Sequence, residues 1–348
     1  MLTLALGATT GCSISIKSRA GLLAVAAVVM GFALPGVRTR AQQAAEAAAL
    51  PAWAYSMPAP KPPDAPRPAP LDDTTPLHVP GSTAGYTAKY IANLATVADW
   101  YPDTHPAMPE VVATGHKPSG AACAHCHLPN GLGGPENANL AGQSEAYMLQ
   151  QIEDFKSGAR RSSSSKLGSV NNMIRVSQDV TPEEMKASVA YFAALKPQQW
   201  IRVVETDTVP VTHVGNYVLI PNTPAATEPI GERLIEVPVD PVRTEMKDSA
   251  TSYIAYVPTG SLKRGADLVK TGGGKTMPCA ACHGTDLHGM GAIPAIAGRT
   301  PSGMTRQLLD IQHGTRNGAA AAMMKPVVAN LTTTDIIAIT GYLASLQP

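Results

Sequence analysis

The chain has 348 residues, enough for about two domains of ordinary size on a prior of roughly 100–200 residues each. A net charge of +1 gives no electrostatic case for a nucleic acid or any strongly charged partner, and five cysteines are too few to staple so long a chain with disulfides. Aromatic residues make up 5%, which would leave an all-protein core thinly filled and suits a large apolar cofactor.

In chain order, Lys17 and Arg19 precede the apolar run "AGLLAVAAVVMGFALPG", which small residues follow. Residues 1–41 therefore read as an export signal with cleavage after Ala41, implying a periplasmic protein. An uncleaved anchor through residues 21–37, holding the protein at a membrane, stays open beside it, although the run is shorter than the roughly 20 apolar residues of a spanning helix. A lipoprotein site at Cys12 is weaker, since it precedes the run. Residues 42–84 form a Pro-rich lead, "MPAPKPPDAPRPAP" at 57–70, expected to be disordered or draped over the surface. The stretch 86–100 predicts a helix with Tyr90, Leu94 and Val97 on one face.

From Cys123 onward the chain repeats itself. Adding 156 carries Cys123, Cys126 and His127 onto Cys279, Cys282 and His283, "LAG" at 140–142 onto "IAG" at 296–298, and Gly158 and Arg160 onto Gly314 and Arg316. Past a loop five residues longer in the first copy, the offset becomes 151, matching Met173 to Met324, Thr181 to Thr332 and Tyr191 to Tyr342. Two homologous, mainly α-helical domains follow, at 85–198 and 259–348. In each, a Thr N-cap opens a final helix with apolar residues at helical spacing, Met185, Val189 and Phe192 in one and Ile336, Ile339 and Leu343 in the other. Between them, residues 199–258 are β-branched and broken by Pro and Gly, reading as short strands or extended segments.

The cysteines carry the chemistry. C-x-x-C alone fits a redox dithiol, a zinc site or a haem, whereas C-x-x-C-H reads as covalent haem attachment. Thiols three residues apart on one turn reach both vinyl groups along one porphyrin edge, and the following His swings under the iron. Zinc would need the two cysteine pairs to converge and would leave both histidines unexplained. A thioredoxin-like dithiol would want a βαβ setting that neither copy has. Two haems, on Cys123 and Cys126 with His127 and on Cys279 and Cys282 with His283, are the expected cofactors. The second copy reads "CAACH", so the middle His125 is dispensable to the motif. An electron-carrying haem takes a second axial ligand, His or Met, and the matched Met173 and Met324 are the candidates, with Met185 and Met323 competing.

With these residues in view, the chain resembles a diheme class I cytochrome c of the tandem-domain kind, similar to the cytochrome c4 type. "CAHCH" and "CAACH", "NLAGQ" and "AIAGR", "FKSGAR" and "QHGTR", the two methionines and the closing "AYFAALK" and "GYLASLQ" carry the likeness. It covers about half the chain; the Pro-rich lead and residues 199–258 are foreign to that family's two-domain body. The resemblance implies a Pro two residues before the Leu of "LAG", whose carbonyl accepts from the proximal His. Pro294 fits, and Ala138 departs from the pattern, so the first domain is expected to be the less regular.

Arg160 and Arg316, being matched, are candidates to pair with buried haem propionates. His105, His116, His213, His288 and His313 read as structural, and "TGGGKT" at 271–276 lacks the spacing of a phosphate loop. The expected function is electron transfer between respiratory redox partners, by a carrier rather than an enzyme. The alternatives are the electron-accepting subunit of a periplasmic dehydrogenase, or an enzyme with one haem open to substrate.

Overall fold

The computed structural model of the chain describes residues 50–58, 69–116, 120–215 and 218–348. The export signal, Cys12, the run 21–37 and the middle of the Pro-rich lead lie outside the described residues.

The first domain is built on α1 (Cys123–His127), α2 (Glu145–Lys156), α3 (Gly168–Asp179) and α4 (Pro182–Ala194). The second uses α5 (Ser261–Thr271), α6 (Ala280–His283), α7 (Pro301–Gln312), a 3-10 turn at Ala319–Met324 and α8 (Thr333–Ser345). Both closing helices start as the sequence predicts. Thr181 and Thr332 cap α4 and α8, and Glu184 and Asp335 return a carboxylate to the cap N–H, satisfying helix-end donors on both sides. In the second domain α5 and α8 cross so closely that a Cβ on Gly265 would overlap the Ala338 carbonyl, so only glycine fits there. The helix that meets α4 in the first domain is cut to Glu110–Ala113, with Pro109 at its N-cap and Pro106 before it.

The helix predicted over 86–100 is confined to Ala88–Ala92. Asn93 and Thr96 offer the backbone other partners, since Asn93 Oδ1 accepts from Ala95 N (3.0 Å) and Thr96 Oγ1 donates to Tyr90 O (2.6 Å). Tyr90 and Leu94 are left exposed, while Val97 turns inward. Residues 50–58, expected within a disordered lead, instead pack into the second core. Ala54 and Tyr55 are buried, Tyr55 Oη donates to Asp310 Oδ1 (2.7 Å), and Arg306 Nη1 donates to Ala54 O (2.8 Å). An aromatic pair, Trp53 and Tyr55, gives that stretch enough apolar surface to offset the cost of ordering it.

The segment between the domains is β-rich, as read. Its central sheet runs β1 (Ile201–Glu205), β7 (Tyr253–Val257), β6 (Ile235–Pro238), with β1 parallel and β6 antiparallel to β7. Two small antiparallel pairs flank it, β2 (Thr208–Pro210) with β5 (Thr227–Pro229) and β3 (Thr212–Gly215) with β4 (Val218–Pro221). The sheet is no loose linker. Trp200, Ile201, Tyr253 and Ala255 join the first domain's core, whereas Leu234 and Val257 pack on Ile337 of α8.

The repeat is also a spatial symmetry. Arg160 and Arg316 pair with each other as an antiparallel bridge. Around it Arg161 N donates to Thr315 O (2.9 Å) and Asn317 N donates to Ala159 O (2.7 Å), the same contact read from each domain. Gln143 makes two bonds to the backbone of Ala295 (2.9 and 3.1 Å), and its counterpart Arg299 bonds Asn139 Oδ1 (2.7 Å), Asn139 being the counterpart of Ala295. The two domains thus meet as an isologous dimer does, within one chain.

Candidate haem sites

Each motif cysteine pair lies on one helical turn, with Cys279 as the N-cap of α6 and Cys123 opening α1. The histidine that ends the turn is buried in both, at 8% exposure for His127 and His283 alike. His127 Nδ1 meets Ala138 O at 2.8 Å, and His283 Nδ1 meets Pro294 O at 2.8 Å. A carbonyl can only accept, so each Nδ1 carries the proton and each Nε2 keeps its lone pair for a metal. Burial lowers both imidazole pKa values, with the carbonyl bond opposing, so the rings stay neutral. The Ala138 substitution leaves this bond intact, because the carbonyl belongs to the backbone.

Burial pushes the Cys123 thiol up to about 12 and Cys279 to about 11, and raises Cys126 as well. Catalytic dithiols need the opposite shift, so these are poor nucleophiles and fit a site where a hydrophobic group is bonded. The two pairs sit in separate domains, and among the described residues no three His, Cys, Asp or Glu side chains converge on a metal position.

Met173 stands half-buried on α3, and Met324 ends the 3-10 turn, half-buried against the second core. Of their competitors, Met323 is 62% exposed and Met185 is buried on α4. His125 has a structural task, since its ring is buried and Nδ1 donates to Thr96 O (3.1 Å).

Arg160 and Arg316 come together at the domain interface. Arg160 donates to Gln151 Oε1 (2.9 Å) and Gln307 Oε1 (3.0 Å) and lies over the Phe155 ring. Arg316 donates to Gln151 Oε1 (2.9 Å) and Tyr147 Oη (3.2 Å), and its Nε is buried without a partner. Arg299, which the sequence reading missed, is 5% exposed and also has an orphaned Nε. Burial brings both Arg160 and Arg299 down to about 10, with Arg316 adding repulsion on Arg160. Among the described residues none of the three faces a carboxylate at salt-bridge distance. Buried guanidiniums with orphaned N–H groups call for an anion, and haem propionates are of that chemistry. The signal for Arg299 was its place directly after "IAG", opposite Gln143.

A covalent haem site in each of two helical domains defines a cytochrome c architecture, and comparison with known proteins agrees. The cytochrome c family model matches residues 112–196 and 262–347. Cytochrome c4 of Azotobacter vinelandii is 26% identical over 233 residues, covering 65% of this chain and 85% of that protein. Cytochrome c-554(548) of Halomonas halodenitrificans is 35% identical over 70 residues, 20% of this chain and 84% of that protein. The thiosulfate dehydrogenase electron acceptor of Thiomonas intermedia is 24% identical over 236 residues, 66% of this chain and 81% of that protein. The chain belongs to the cytochrome c family. With its two domains in tandem it is a diheme class I member of the cytochrome c4 type, an electron-transfer protein with two covalently bound haem c groups.

Proposed function

We propose that the protein carries electrons between respiratory redox proteins in the periplasm, delivered there by residues 1–41 as an export signal. Its domain bodies are 85–198 and 259–348. Thioethers to Cys123 and Cys126 would hold one haem and those to Cys279 and Cys282 the other, with His127 and Met173, and His283 and Met324, as the residues that would bind the irons. Arg160 and Arg316, joined by Arg299, neutralise propionates at the domain interface. The observation that carries this reading is the pair of equal bonds from His127 and His283 to Ala138 O and Pro294 O, which ready two matched Nε2 atoms for iron.

Haem c supplies reversible one-electron transfer when bound. The chain's part is to fix the imidazole tautomer, to keep water from the ring, and to set the charge around the group through buried guanidiniums. Two protein ligands on each iron leave no open position for substrate, which supports a carrier over an enzyme. The name of the Thiomonas relative supports a second reading, in which the chain accepts electrons from a dehydrogenase as its dedicated partner. Absorption spectroscopy tests the assignment. Two low-spin haems with the weak Met-to-iron band in the oxidised state are expected, and a high-spin haem that binds small ligands would overturn the ligand set.

A further inference from the structure

We propose that the chain's own segments 93–105 and 199–253 close the first haem motif to redox partners, leaving the Cys282 face of the second domain as the port for electron exchange. This rests on the function proposed above. Because the two motifs are related by adding 156, every position has an internal control. In the first copy His125, Pro129 and the whole run Gly131–Pro135 are buried; of their counterparts, Ala281, Thr285, His288, Met290 and Gly291 are exposed, Gly289 is half-buried and only Leu287 is buried. Cys126 is half-buried and Cys282 exposed.

The cover is made by bonds that the second domain has no means to form. Ala122 N donates to Leu94 O (2.8 Å) and His125 Nδ1 to Thr96 O (3.1 Å), laying residues 94–96 along α1. Asn130 Nδ2 donates to Ser249 O (2.7 Å), fastening the inserted segment over the loop after the motif. Between them Cys126 and Leu128 line a small cleft with Trp200, Lys247 and Tyr253, so the inserted segment stands beside the second cysteine of the motif. Leu128 holds φ at 61° with ψ at 156°, a conformation nearly restricted to glycine, where its counterpart is Gly284 at φ 86°.

A haem bonded at these cysteines has its bonded edge at them by covalency, and electron exchange between proteins falls steeply as edges are moved apart. Near the second motif in the chain stand exposed Met277 (47%) and Met290 (61%), with Pro278 and Ala281, and one exposed ion pair, Asp286 with His288. The matching partner is a redox protein with a weakly charged, apolar contact face.

The test uses the full-length protein with both haems, counted first by the pyridine haemochrome spectrum. A count below two overturns the function and this proposal together; the outcomes that follow bear on the port alone. Stopped-flow oxidation of the reduced protein by ferricyanide at low salt should slow by about threefold or more in Met277→Glu/Met290→Glu, with salt restoring the rate. Lys247→Glu, over the first motif, should leave it within about a factor of 1.5 on the same electrostatic grounds. Independently of rates, a soluble gadolinium chelate should broaden the second domain's haem-methyl resonances more than the first's. His125→Ala/Asn130→Ala should bring the first up towards the second. Equal broadening in the unmodified protein, or a Lys247→Glu effect as large as that of the methionine pair, would overturn the proposal.

Discussion

Glu236 is the residue on which the inserted sheet is hung, and its replacement separates charge from shape. It lies on β6, 2% exposed, at the start of α7. Its carboxylate accepts from Thr300 Oγ1 (2.9 Å), from Ser302 N (3.1 Å) and from Ser302 Oγ. Glu236→Ala strands the buried Ser302 N–H, at about 1–3 kcal/mol, because the hydroxyls have other acceptors nearby and the amide has none. Losing the buried methylene and the contact of charge with the helix end adds about 1–2 kcal/mol. Against this stands relief of a buried charge, so the expected net loss is about 2–4 kcal/mol. Glu236→Gln keeps the shape and an acceptor for Ser302 N, and should stay within about 1 kcal/mol of the parent. The pH dependence gives the sign. Desolvation outweighs the bonds and raises the Glu236 pKa above its ordinary 4.5. A carboxyl with a raised folded-state pKa contributes stability that is full below its unfolded value and is lost as pH rises through the folded one. Urea unfolding of the haem-loaded protein, followed by circular dichroism, should therefore show Glu236→Gln gaining on the parent between pH 4.5 and neutrality. A Glu236→Ala protein within about 0.5 kcal/mol of the parent, or a glutamine variant that loses ground over that range, would refute the reasoning.

Three further outcomes are expected. Gly265→Ala should destabilise the second domain by about 1–3 kcal/mol in chemical unfolding, since the new methyl meets the Ala338 backbone and the gain in helix propensity is only about 1 kcal/mol. His125→Ala should retain two haems by haem stain while losing about 1–3 kcal/mol with the bond to Thr96, whereas His127→Ala should show a high-spin spectrum from the first domain. Arg316→Gln removes a buried cation, which favours the oxidised haem, and should lower a reduction potential by something on the order of tens of millivolts in a redox titration. An unchanged potential would remove Arg316 from the propionate site.

Spacing motifs set by near neighbours were legible in the chain as written. The C-x-x-C-H spacing needs only one helical turn, the Thr caps need only the residue three places on, and the repeat itself pairs the positions; together they yield two haem domains and the dispensability of His125. The reading failed where side chains compete over short range for the backbone, as Asn93 and Thr96 do in ending the helix at Ala92. It failed again where distant segments decide burial. Trp53 and Tyr55 look like part of a proline-rich tail until α7 is placed beneath them, and Arg299 looks like a surface residue until Asn139 comes opposite. The two copies of the motif are near twins in sequence. Only the tertiary structure shows that one is covered by residues 94–96 and the inserted segment while the other is open. Periodicity and spacing report what a residue's neighbours along the chain allow; whether it meets solvent depends on contacts more than a hundred residues away, such as Asn130 with Ser249.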